Sequence, residues 1–302
     1  MLAIIAPGQG SQTPGMFNSW IADPSLKALL VSWSEAIGLD LLRLGTTADA
    51  EEIKDTANAQ PLIVASSLLG AHALGLKNFA VTSGHSVGEL AAAALSGAIS
   101  ESDALMIVRA RGIEMAKAAA ASPSGMSAVL GGDRTEVLAA IAGLKLVAAN
   151  DNGAGQIVAA GDLQALATLN ETPPAGARIR ALAVAGAFHT QFMQTAVEPL
   201  RALATTVTTH PVSIQVVSNK DGQVVTDGAE VLNRIVNQIA NPVRWDLCME
   251  TLKSLGVTGV IELPPAGTLV GLLKRAASEI ETFALKSAED LDAAREFAER
   301  HA

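Results

Sequence analysis

An α/β fold, a parallel sheet interrupted by a ferredoxin-like βαββαβ insertion, is predicted by three observations. First, Gly84-His85-Ser86-Val87-Gly88 follows the apolar run Phe79-Ala80-Val81 and precedes the alanine-rich stretch Glu89 to Leu95. That order of strand, tight turn and helix is the context of a nucleophile elbow on an α/β-hydrolase-like sheet core. Second, strand and helix patterns alternate on both sides of the elbow, as a parallel sheet covered by helices requires. Third, the rhythm between Ser122 and Gly186 shortens into strand, helix, strand, strand, helix, strand.

The elements follow in order. Residues 1–7, Met-Leu-Ala-Ile-Ile-Ala-Pro, read as a buried first strand, since they have neither the basic flank nor the apolar length of a signal peptide. A glycine-rich turn, 7–12, leads to helical patterns within 20–44 and over 61–76. The second of these is interrupted by Ser66, Ser67, Gly70 and His72 and is too short to span a bilayer. A strand at 79–83, the elbow, and helices at 90–95 and 102–121 complete the first part. In the insertion, strands are expected at 126–130, 145–149, 156–160 and 178–184, and helices at 134–142 and 163–169. Asn150-Asp151-Asn152-Gly153 suits a hairpin, because Asn and Gly tolerate positive φ. The chain then returns through a helix at 192–206, a strand at 214–218, helices at 228–239 and 247–255, a strand at 259–263 and a last core helix. The charged tail, 288–302, reads as a solvated helix. The expected division is a large catalytic unit, 1–122 with 188–302, and a self-contained small unit, 123–187.

Composition narrows the function. The 302 residues are 49% hydrophobic and 17% charged, which suits a buried core. A net charge of -9, aromatic content of 3% and no tyrosine argue against nucleic-acid binding. The single cysteine, Cys248, excludes an internal disulfide and a cysteine-rich metal site, and fits a reducing compartment. A cytoplasmic protein that does not engage membranes is expected.

Ser86 needs a base, an oxyanion site and a hold on its substrate. Of the five histidines, His301 in the tail and His210 before Pro211 are expected at the surface, and His72 inside the core. His85 is expected to point off the opposite side of the turn. His189 remains, in Gly186-Ala187-Phe188-His189-Thr190, where the chain leaves the insertion and a loop would face a cleft. Arg111 lies in an otherwise apolar helical run and must find an anion. Its partner is either a carboxylate of the chain, such as Asp103 or Glu114, or the carboxylate of a substrate, gripped by two parallel hydrogen bonds.

Five segments together carry a resemblance. Pro7-Gly8-Gln9-Gly10-Ser11-Gln12, Gly84-His85-Ser86-Val87-Gly88-Glu89, Arg109-Ala110-Arg111-Gly112 with Met115, Gly186-Ala187-Phe188-His189, and Gln238-Ile239-Ala240-Asn241-Pro242-Val243-Arg244-Trp245 closely resemble malonyl-CoA:acyl carrier protein transacylases, from about residue 3 to 275. The resemblance implies that Ser86 is acylated, that His189 is its base, and that the Gln238 backbone carbonyl orients His189, so that no aspartate completes a triad. It implies an oxyanion hole from Gln9 and the Val87 N–H, and a clamp on the malonyl carboxylate from Arg111. Asn150 or Asn152 would line the pocket, and Phe188 matches the form that favours malonyl over methylmalonyl groups. No bound cofactor is implied: malonyl-CoA is the substrate, and the partner is an acyl carrier protein with its own phosphopantetheine. Arg178, Arg180, Lys274 and Arg275 are the cations that such an acidic partner could meet. One departure is Pro264-Pro265-Ala266-Gly267, where the family commonly has Gly-Pro-Gly. Two other readings of the elbow are a serine esterase or thioesterase, and a non-catalytic module that docks a carrier protein.

Overall fold

Five consecutive apolar residues form β1 (Leu2–Ala6), and all five are buried in a computed structural model that describes the whole chain, Met1–Ala302. Burial on both faces follows from the pleat. Leu2, Ile4 and Ala6 join one hydrophobic cluster of 55 buried residues, while Ala3 and Ile5 join a second of 16 on the other face. Helices α1 (Pro24–Ile37), α2 (Leu41–Thr46) and α3 (Thr56–Leu74) follow, started by the side chains of Asp23, Asp40 and Asp55, each of which accepts from a first-turn N–H. Next come β2 (Val81–Gly84), α4 (Gly88–Leu95) and α5 (Glu101–Ala121).

The insertion has the predicted order: β3 (Ser124–Gly131), α6 (Arg134–Gly143), β4 (Val147–Asp151), β5 (Gln156–Asp162), α7 (Leu163–Glu171) and β6 (Ala177–Ala181). The strands lie in the order β6-β3-β5-β4. One face, with Val129, Ile157 and Ala159, packs under α6 and α7 through Val137, Ile141, Leu166 and Leu169. The opposite face carries Met126, Asn150, Gln156 and Val158 toward the rest of the molecule, since strand side chains alternate.

The chain continues with α8 (Gln194–Ala204), β7 (Gln215–Val217), β8 (Val224–Val225), α9 (Gly228–Gln238), β9 (Val243–Arg244), α10 (Trp245–Ser254), β10 (Gly259–Glu262), α11 (Thr268–Ala276), β11 (Glu281–Ala284) and α12 (Leu291–His301). The large sheet has the order β11-β10-β1-β2-β7-β8, parallel except for β8 at the edge. In the β1–β2 register Ala6 pairs with Gly84, so the elbow sits at the carboxyl end of the parallel strands, where α/β sheets place their ligands.

Three expectations are corrected. The small sheet is not self-contained: β9, from the returning chain, pairs in parallel with β4 as its fifth strand. The tail is not simply solvated, because α12 buries Ala294, Phe297, Ala298 and His301, one face at helical spacing. The two-residue strands β8 and β9 and the edge strand β11 were not expected; each is too short or too mixed to announce a period. No helix of the chain is long and apolar enough to cross a membrane.

Candidate active site

Gly84 and Gly88 make the elbow possible. A Cβ on Gly84 would lie 2.0 Å from the backbone carbon of Gly88, and one on Gly88 would lie 2.3 Å from the Ala6 carbonyl oxygen. Between them Ser86 takes φ 53°, a left-handed conformation that costs a non-glycine residue on the order of 1 to 3 kcal/mol. The turn lifts Ser86 above the sheet at the head of α4, whose first N–H groups and positive dipole end face the same space.

Ser86 Oγ lies 2.7 Å from His189 Nε2, and His189 Nδ1 lies 2.8 Å from the Gln238 carbonyl oxygen. A carbonyl only accepts, so Nδ1 carries the proton and Nε2 is left to accept from the serine hydroxyl. His189 also has a positive φ, 62°, and its N–H donates to the Ile239 carbonyl, which fixes the ring over the serine. Burial and then the Arg111 charge hold its pKa down at about 3.

Arg111 projects from α5 into the same place and is 1% exposed. Its Nη1 donates to Gln60 Oε1 at 2.6 Å; its Nη2 donates to Gln238 Oε1 at 3.0 Å and reaches Ser86 Oγ at 3.3 Å. Nε is buried without a partner. Of the two carboxylates weighed as its partner, Glu114 pairs with Lys117 and Asp103 caps its own helix with Ser100. Every hydrogen-bond partner of the guanidinium is neutral. Burial lowers its pKa to about 10, still leaving it charged at neutral pH.

Between the two sheets lies an open cleft of about 250 Å³. Ser86, His189, Arg111, Gln9, Asn150, Asn152 and Phe188 all line it. Gln9 is held by Thr56, to whose Oγ1 it donates at 3.3 Å, and by Gln60, which donates to its Oε1 at 3.4 Å. Val87 and Gln238 stand behind this lining, buried. Pro264 lies outside the cleft, where its carbonyl accepts from Ser67 Oγ at 2.8 Å, although Thr268, Leu269 and Leu272 of the following helix do line it.

Three histidines differ from expectation. His85 does not point away: it turns into the cleft, pairs with Asn152 Oδ1 at 2.9 Å and meets Trp245 edge-on at 5.8 Å, tying the elbow to the small sheet. His72 is exposed and bound to Glu101 at 2.9 Å rather than satisfied in the core. His301 is buried, 3.0 Å from Thr258 Oγ1 and packed on Phe297. His210 is exposed as expected.

Sequence reasoning missed three buried polar residues. Asn219, at the carboxyl end of β7, accepts from the Ser86 N–H at 2.8 Å and donates to the Gly84 carbonyl at 2.7 Å, clamping both sides of the elbow. Glu89 accepts from the Asn219 N–H at 2.7 Å and from Gln238 Nε2 at 2.5 Å. Burial pushes its carboxyl up to about 8, against the pull of the Asn219 N–H and the charges of Arg111 and Arg234. Gln60 is the third. Their only sequence signal is a polar side chain just beyond a strand or within an apolar helix. Asn219→Ala would leave the Ser86 N–H and the Gly84 carbonyl unpaired in the interior. It is expected to cost about 2 to 4 kcal/mol by denaturant unfolding, and a loss within about 0.5 kcal/mol would contradict the clamp.

Comparison with known proteins follows the same lines. The family model described as an acyl transferase domain matches residues 4–296. The malonyl CoA-acyl carrier protein transacylase of Mycobacterium tuberculosis is 52% identical over 297 residues, 97% of this chain and 98% of that protein. The crystal structure of the M. tuberculosis enzyme superposes with a TM-score of 0.95 at 51% identity, covering 98% of this chain and 99% of that one. A malonyl-transacylase solved in complex with a type II PKS acyl-carrier protein superposes with a TM-score of 0.91 at 28% identity, covering 98% and 99%. Fold, family model and sequence identity converge: the chain is an acyl transferase, a member of the malonyl CoA-acyl carrier protein transacylase family.

Proposed function

We propose that the protein moves a malonyl group from malonyl-CoA to the phosphopantetheine thiol of an acyl carrier protein through a malonyl ester on Ser86. The observation that carries this reading is Arg111. A buried guanidinium 3.3 Å from the reactive hydroxyl, without a carboxylate of the chain against it and with Nε unpaired, matches an acyl group whose far end is an anion. An esterase or thioesterase acting on neutral acyl groups gives that charge no task, and a docking module needs no serine–histidine pair.

His189 Nε2 takes the Ser86 proton as Oγ attacks the thioester carbon. The tetrahedral oxyanion meets the Val87 N–H and the Gln9 side chain, donors held in position before reaction. As the ester forms, the C–S bond breaks and the His189 proton leaves with CoA as its thiol. The carrier thiol then enters, gives its proton to His189 and attacks the ester, and Oγ recovers the proton. Asn150, Asn152 and Phe188 shape the acyl end of the cleft. Arg178, Arg180, Lys274 and Arg275 are exposed and available to an acidic carrier on a chain whose net charge is -9.

The test compares malonyl-, methylmalonyl- and acetyl-CoA as donors to a purified carrier protein. Malonyl transfer should be fastest; acetyl transfer of equal kcat/KM would overturn the reading. A pH profile checks the base. With His189 neutral down to about pH 3, malonyl kcat/KM should show no acid limb at the ordinary histidine value of 6.5. Stability has the matching sign. Between pH 6.5 and about 3 the unfolded chain binds a proton that folded His189 refuses, so its contribution to stability is lost as pH falls through that window.

A further inference from the structure

The side chain of Gln238 is as constrained as its carbonyl. Its Oε1 accepts from Arg111 Nη2 at 3.0 Å, while its Nε2 donates to Glu89 Oε2 at 2.5 Å and to Asn219 Oδ1 at 3.1 Å. A guanidinium only donates, so the amide must turn its oxygen to Arg111 and can stand in one orientation only. All four residues are at most 5% exposed. The result is a line of cation, amide and carboxyl, with Ser86 at the cation end.

We infer that the Gln238 side chain is a spacer that holds Arg111 one amide away from the Glu89 carboxyl, and thereby sets the preference for acyl donors with a free carboxylate. The inference rests on the reading of Arg111 given under Proposed function. The physical reason is competition. A carboxylate of the chain in direct contact with the guanidinium would form a buried ion pair and occupy the donors that a malonyl group needs. At one amide's distance the Glu89 carboxyl stays clear of the guanidinium, which meets only neutral acceptors and keeps Nε unpaired. Gln238 is therefore a positioning residue with two separate duties, its carbonyl toward His189 and its side chain toward Arg111.

The test exchanges the two groups. The double substitution Glu89→Gln with Gln238→Glu preserves the acceptor for Arg111, the acceptor for the Asn219 N–H and a donor between the two side chains. It gives up the 3.1 Å contact to Asn219 and places the carboxyl directly against the guanidinium, where it ionises. Gln238→Met, of similar size and without charge, is the control. The exchange should lower the malonyl-to-acetyl ratio of kcat/KM at least about tenfold, chiefly through malonyl KM, and further than Gln238→Met does. A ratio that holds, or falls no further than in the control, overturns the spacer. Should thermal melting show that the exchanged protein does not fold, the single substitution Gln238→Glu is read against the same control. Failure of the wild-type chain to prefer malonyl over acetyl would instead overturn the reading of Arg111, so the two results are distinguishable.

Discussion

Ser86→Ala should abolish transfer while leaving the fold intact. Loss of the nucleophile in serine enzymes costs on the order of 10⁶ in kcat, and a loss of at least about 10⁴ is expected here in the steady-state assay. The reason is specific to this geometry. Without Oγ the cleft keeps His189 in its productive tautomer on the Gln238 carbonyl, and keeps Arg111 on Gln60 and Gln238. What remains can bind malonyl-CoA but has no atom to take the acyl group. Alanine at φ 53° adds little strain beyond that of serine, so thermal unfolding should shift by a few degrees at most. Activity surviving within tenfold would place the chemistry elsewhere.

Arg111→Ala carries the second large effect, and its size depends on the donor. Removing a charge-assisted, two-point grip in a buried site is worth about 3 to 4 kcal/mol, or a factor of about 10² to 10³ in malonyl kcat/KM. Acetyl-CoA presents no carboxylate and should lose far less, so the selectivity collapses along with the rate. Arg111→Lys tests the fork: it restores the charge without the planar pair of donors, and should recover only part of the malonyl rate. Equal losses for both donors in Arg111→Ala would show that the arginine only braces Gln60, Gln238 and Ser86.

Much of this was legible in the sequence because the constraints are local. Gly84 and Gly88 exist for backbone contacts that a Cβ would destroy, and the apolar run of β1 records a strand buried on both faces. The βαββαβ order was readable from turn spacing alone. What escaped depends on residues far apart in the chain. Asn219 is 133 positions from Ser86, and Gln238 is 149 from Glu89; nothing near either residue announces the partner. His85 was misread for the same reason, because Asn152, which draws it into the cleft, comes from another sheet. His301 shows the limit of a polarity argument, since charged neighbours in the tail hid a face repeated at Ala294, Phe297 and Ala298. A two-residue strand such as β9, which joins the small sheet from beyond residue 240, has no period to detect.

The central claim is that Ser86 carries the malonyl group between two thiols. Its most direct test is a chase: the protein is loaded with labelled malonyl-CoA, freed of CoA, mapped by mass spectrometry, and divided between buffer and phosphopantetheine-bearing carrier protein. The account predicts one malonyl group, on Ser86, that passes to the carrier thiol much faster than to water. Label on any other residue, or release as free malonate at the same rate with and without carrier, would contradict it.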